Sequence, residues 1–184
     1  MGRLLHSGIL SLDGYTVDDE GSFGWAMPSP EVEDALTEQT ADVSTFLYGR
    51  RMYETMAIWE TEPAAQDDTP DSRWAQVWRA TDKVVYSTTL DDVWTSRTRL
   101  ERRFEPDAVR ALVRAADGDV TVEGPTLAAT ALRAGLVDQV DVVIVPVIVG
   151  GGTPFLPDGI HLDLSLVETT RFDNGMVQLR YTVG

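Results

Sequence analysis

The 184-residue chain contains no cysteine. That absence removes disulfide frameworks, thiolate-held zinc, iron–sulfur clusters and thiol nucleophiles together. Histidine is nearly missing as well. His6 and His161 are too few for a multi-histidine metal centre, so no metal is expected. No apolar run reaches the ~18 residues of a membrane span, and the opening Met1-Gly2-Arg3-Leu4-Leu5-His6 does not read as a signal peptide. A cytoplasmic protein without membrane partners is the expectation. Lysine occurs once, at Lys83, and the other basic residues are arginines. Positive charge is scarce overall: 15 basic residues against 30 acidic ones give a formal charge of −15. Such a surface repels phosphate backbones, which argues against nucleic acid as a partner.

What is present suits one folded domain over residues 1–184. The 43% hydrophobic and 24% charged fractions are those of a globular protein, and the length allows one sizeable core. Residues 4–10 predict a first strand that ends in Ser11-Leu12-Asp13-Gly14, with Asp-Gly as turn punctuation. Ser29 reads as the N-cap of a helix with Pro30 at its first position. Strands are expected over 43–48, 83–87, 120–123 and 140–149, and helices over 51–59, 72–81, 106–116 and 125–133. The stretch 60–72, with Pro63 and Pro70, reads as a surface loop. Segments 164–170 and 176–183 alternate around Asp173-Asn174-Gly175, a hairpin signal. Strands alternating with helices, followed by a hairpin, predict an α/β fold with a mostly parallel sheet and an antiparallel edge.

Ligands of open parallel sheets bind beyond the carboxyl ends of the strands. The predicted ends here are Ser11 to Gly14, Gly49-Arg50, Ser87-Thr88, Glu123-Gly124 and Gly150-Gly151. Glycine there lets a phosphate approach the backbone, and a following helix offers unpaired N–H donors. In so acidic a chain, Arg50-Arg51 after Gly49 is an anion-site candidate. The alternative is a solvated helix start. Arg97, Arg99, Arg102 and Arg103 form a looser cluster without glycine.

These residues carry a resemblance. Phe46-Leu47-Tyr48-Gly49-Arg50-Arg51-Met52-Tyr53-Glu54 resembles the strand–Gly-Arg–helix motif of the dihydrofolate reductase-like superfamily. Val122-Glu123-Gly124-Pro125-Thr126, then Gly135-Leu136-Val137-Asp138, is similar to the pattern of its riboflavin-biosynthesis reductase branch, as is Ser11-Leu12-Asp13-Gly14. The resemblance implies a dihydrofolate reductase-like fold and an NADPH-dependent reductase, as a homodimer, acting on a small flat heterocycle of pterin, pyrimidine or flavin-related kind. It places Gly49, Arg50, Arg51, Ser87, Thr88, Gly124, Pro125 and Thr126 along the cofactor. A non-catalytic nucleotide- or ligand-binding protein that keeps the cleft is the alternative.

Two carboxylates are candidates for orienting the substrate or moving a proton. Asp13 does this or caps its own turn, and Glu123 does this or holds the next loop. Trp25 and Trp59 either stack on a flat ring in the substrate pocket or fill the core. Val32 stands nearest the position where dihydrofolate reductases hold the pterin with a carboxylate, so dihydrofolate is expected to be a poor substrate.

Overall fold

A computed structural model describes residues 2–62 and 69–184. The elements in chain order are β1 (Leu4–Ser11), β2 (Tyr15–Val17), α1 (Pro30–Gln39), β3 (Val43–Gly49), α2 (Arg50–Met56) and α3 (Pro70–Ala80). There follow β4 (Asp82–Tyr86), β5 (Thr98–Glu101), α4 (Pro106–Ala115), β6 (Asp119–Glu123), α5 (Pro125–Arg133) and β7 (Gln139–Val145). The chain ends with β8 (Thr153–Pro154), β9 (Leu164–Arg171) and β10 (Val177–Val183). Every helix except α2 begins on a proline, whose missing N–H is no loss at a first position and whose φ is already helical.

Eight strands form one sheet in the order β5-β4-β3-β6-β1-β7-β10-β9. The pairings from β5 to β7 are all parallel, while β10 is antiparallel to both β7 and β9. The expected sheet, with its antiparallel C-terminal pair, is therefore the one observed. Side-chain alternation divides the core into two layers. Leu4, Leu47, Val84, Val120, Val122 and Val140 pack under α4 and α5. On the other face, Phe46, Tyr48 and Val85 meet Trp78 of α3, while Val143 and Val145 meet Val32 of α1.

Several boundaries differ from the sequence reading. The strand expected over 140–149 stops at Val145, because Pro146 has no N–H for the ladder. The helix expected over 51–59 ends at Met56 and tightens into a 3₁₀ turn, Ala57–Glu60. Helix α3 starts at Pro70, inside the expected loop, with the Thr69 hydroxyl accepting from the Ser72 N–H at 3.2 Å. Pro63 and the rest of 63–68 lie outside the described residues. Ser29 holds the N-cap position of α1 but makes no side-chain cap; its hydroxyl accepts from the Asn174 amide instead. Strand β5 was not expected at all. It is a four-residue edge strand with alternate residues exposed, so it lacks the apolar run that marks its neighbours.

Candidate active site

Parallel pairing gathers the strand ends named above at one edge of the sheet. Tyr48 lies opposite Glu123, and Gly49 opposite Tyr86, so the exits of β3, β4 and β6 are immediate neighbours. Gly49, Ser87 and Gly124 thus come together although they are far apart in sequence. Gly124 has φ +90°, and a Cβ there would lie 3.2 Å from the Met52 Cβ. Both the backbone sign and the approach of α2 call for glycine. Behind it, α5 opens on Pro125 with no side-chain cap on its first amides.

The two arginines differ. Arg50 is held: its Nε donates to the Glu54 carboxylate at 2.7 Å and its Nη1 to the Thr89 hydroxyl at 3.1 Å. Arg51 is exposed and has no side-chain partner among the described residues. Ser87 is buried, and its hydroxyl accepts from the N–H groups of Thr89 and Leu90 at 3.2 and 3.0 Å. Thr88, one residue on, is exposed. The looser arginine cluster disperses. Arg97 pairs with Asp82, Arg99 with Glu101, and Arg102 binds backbone carbonyls of the β4–β5 connection.

Glu123 ends β6 on the sheet face shared with Thr121 and Tyr48. The Thr121 hydroxyl donates to its Oε1 at 3.1 Å. No cation contacts it among the described residues, and burial pushes its carboxyl up to about 7, against which the Thr121 hydrogen bond works. Its second oxygen has no protein partner, yet no buried side-chain oxygen among the described residues is orphaned, so that oxygen keeps some accessible surface. Tyr48, fully buried beside it, accepts from the Trp78 indole at 3.1 Å. The signal for Thr121 was its place two residues before Glu123 on one strand face.

Asp13 is not brought to Glu123. Thr121 pairs with Leu5, so Ser11, at the end of β1, lies on the order of 13 Å past the level of Glu123. The exposed Asp13 carboxylate instead accepts from the N–H groups of Val149 (3.2 Å) and Gly150 (2.8 Å), tying the first turn to the glycine-rich one. A hydrogen bond from Ser11, followed by these backbone donors, holds it below the usual carboxylate range. Trp25 is half-buried against the cluster of Val32, Val143 and Val145, with its indole donating to the Ser22 carbonyl. Trp59 packs into the separate cluster around Tyr53 and Trp78. The two tryptophans therefore do not form one ring-binding plate.

Residues 5–178 match the family described as the RibD C-terminal domain. The chain belongs to that family. Among curated proteins it is similar to the uncharacterised YyaP of Bacillus subtilis strain 168, at 27% identity over 97% of this chain and 94% of YyaP. Among solved structures it superposes on a protein of Shewanella sp. PV-4 provisionally assigned to riboflavin biosynthesis, with TM-score 0.75 and 20% identity over 99% of both chains. Dihydrofolate reductase from Enterococcus faecalis, complexed with NADP(H), matches with TM-score 0.63 and 13% identity over 100% of this chain and 97% of its own. The fold is that of the dihydrofolate reductase-like superfamily.

Within this RibD C-terminal domain the position of Val32 is apolar and closed. Val32 is fully buried, and the adjacent Glu31 is turned to the Asp173 N–H at 3.3 Å. A concavity of about 520 Å³ between Arg3, Asp42 and Asp119 opens at the opposite edge of the sheet, away from all of these residues.

Proposed function

We propose that this protein is an NADPH-dependent reductase that acts on a small, flat, nitrogen-containing heterocycle of pterin, pyrimidine or flavin-related kind. The observation that carries the reading is Glu123: a carboxyl held by one threonine at the end of β6, beside the exits of β3 and β4, pushed up to about 7 by burial, with its other oxygen free of protein partners. Such a group can donate a hydrogen bond and a proton to the ring atom beside the carbon being reduced. The residues at the strand ends fit the cofactor. Gly124 leaves room that a Cβ would take, Arg51 has free donors, and Arg50 is fixed by Glu54 and Thr89 with donors to spare. Bound NADPH would supply the hydride. Gly49, Arg50 and Arg51 would take its phosphates, Ser87 and Thr88 its adenosine end, and Gly124, Pro125 and Thr126 its pyrophosphate. Trp25 would border the ring, and Trp59 would support α2 from its own cluster. Asp13 would fix the turn that closes this edge.

The test is NADPH oxidation by purified protein with pterin, pyrimidine and flavin acceptors. Oxidation dependent on one of them supports the reading, whereas tight NADPH binding without oxidation across the panel would make this a binding protein. Cofactor choice gives a second check. Charge-assisted bonds are worth ~1.5–3 kcal/mol, so the Arg50→Ala, Arg51→Ala double variant should weaken NADPH roughly tenfold or more. NADH, without the 2′-phosphate, should hardly respond; equal losses for both would sink the phosphate assignment.

The same reading includes a homodimer in the cytoplasm. Strand β9 ends the sheet with its outer edge unpaired, and Leu166 and Val167 on it are 56% and 58% exposed. A second copy would cover such an edge. Light scattering at moderate salt, where screening over ~8–10 Å limits self-repulsion, should give twice 20.3 kDa. A mass of 20.3 kDa would mean that the edge stays open in solution.

A further inference from the structure

The segment from Ser87 to Asp91 joins β4 to the stretch before β5, and neither helix nor sheet holds it. Its conformation depends on two side chains. From within, the Ser87 hydroxyl accepts from the N–H groups of Thr89 and Leu90. From outside, Arg102 spends its guanidinium on the same five residues. Its Nη1 donates to the carbonyls of Ser87 (3.3 Å) and Leu90 (2.5 Å), and its Nη2 donates to that of Asp91 (3.2 Å). A planar, rigid donor fork suits three converging carbonyls, and a lysine ammonium cannot span them in the same way.

This segment carries Thr89, whose hydroxyl accepts from Arg50. Arg50 lies on a helix of only seven residues, and its other tie is the i,i+4 pair with Glu54, both side chains being more than a third exposed. Exposed pairs of that kind are weak against the rotamer freedom of arginine. The anchored Thr89 is what distinguishes Arg50 from the free Arg51.

We infer that Arg102 is a positioning residue for the phosphate-binding edge: by clamping the Ser87–Asp91 carbonyls it holds Thr89, and through Thr89 it fixes the guanidinium of Arg50. The inference rests on the proposed reading that Arg50 faces the cofactor. It assigns a role in cofactor choice to a residue that does not itself touch the cofactor.

The experiment measures dissociation constants of NADPH and NADH by tryptophan fluorescence, and kcat and KM separately, for the full chain and its Arg102→Lys, Thr89→Val and doubly substituted variants. Thr89→Val should raise Kd and KM for NADPH roughly three- to tenfold while leaving kcat and the NADH constant in place, and Arg102→Lys, which also loosens Ser87, should weaken NADPH clearly more than NADH. The double variant should be no worse than the weaker-binding single, because both break one chain of contacts. Since Thr89→Val removes only a hydroxyl, it reports even if the arginine variant folds poorly. Equal weakening of NADPH and NADH, or additive losses in the double variant, would overturn the inference by making Arg102 a general structural staple. Unchanged NADPH affinity in the Arg102 and Thr89 variants, with Arg50→Ala still weakening it, would overturn the inference and leave the cofactor reading standing. Absence of NADPH binding by the unaltered protein would overturn both.

Discussion

Glu123→Gln should make the protein more stable above pH 7 and a much poorer reductase. The carboxyl has an ordinary value of 4.5 and is raised by burial to about 7. Between those two values the unfolded chain has released this proton while the folded chain still holds it. Stability from the neutral form is therefore complete below pH 4.5 and is lost as pH rises through 7. The shift corresponds to about 3 kcal/mol, an upper bound because one oxygen keeps some accessible surface. Glutamine is neutral at every pH and can still accept from Thr121, so it escapes that loss. In a domain of this size the gain at pH 8 should raise Tm by roughly 5–10 °C. Below pH 4.5 the two proteins should melt together. On the proposed reading the same substitution also removes the proton that Glu123 would deliver, and general acids contribute ~100-fold or more. A Tm difference that stays constant from pH 4 to 9 would show that folding leaves the Glu123 carboxyl unshifted, and would sink the prediction.

His6 gives the pH profile its opposite limb. Buried against the Phe155 ring at 4.1 Å, with Nδ1 3.0 Å from the Val122 carbonyl, it is pushed down to about 4 by desolvation. Below 6.5 the unfolded chain gains a proton that the folded chain refuses, so this contribution is present above 6.5 and is lost as pH falls towards 4. Over the shared window, 4.5 to 6.5, the slopes of Glu123 and His6 oppose each other. The histidine limb is common to wild type and Glu123→Gln and cancels in their difference; the variant's added stability shrinks on acidification because the wild-type carboxyl keeps its proton there.

The parts of this architecture that were legible in the sequence are those whose physics is local. Proline at helix starts, Asp-Gly and Asn-Gly turns and unbroken valine runs each announce one element. The parallel run β4-β3-β6-β1-β7 follows from the alternation of those strands with helices. Strand β5 was illegible because its Thr-Arg-Leu-Glu pattern is set by an exposed edge and not by a core. The crevice was legible to the extent that strand ends mark it. What could not be read is register, which is fixed by long-range pairing. Register puts Tyr48 beside Glu123 and carries Asp13 far past it, so one of two equally plausible carboxylates proved to be tied into a neighbouring turn. The division between a held Arg50 and a free Arg51 likewise depends on Thr89, which is distant in sequence and arrives only with the fold.

The second large effect should come from Asp141, which sequence patterning hides inside the apolar run of β7. It is 2% exposed, and each of its oxygens is occupied. Oδ2 accepts from the amides of Gln39 and Gln139, both at 2.7 Å, and Oδ1 accepts from Arg180 Nε at 3.0 Å. Gln39 is the last residue of α1, so this carboxylate pins the helix that carries Val32 onto the sheet. Arg180, with a side chain 27% exposed, also reaches Glu168, but that contact alone leaves its Nε unpaired. Asp141→Ala strands a guanidinium and two amides around a hole. Breaking one member of a buried pair costs about 3–5 kcal/mol, and the variant should lose roughly 6–20 °C in Tm. The cause can be separated from the cavity. Desolvating the ion pair is itself expensive, so Asp141→Leu together with Arg180→Leu, which fills the space and removes both charges, should recover much of the loss. A double variant as unstable as Asp141→Ala would mean that packing at the end of α1, and not the orphaned guanidinium, sets the cost.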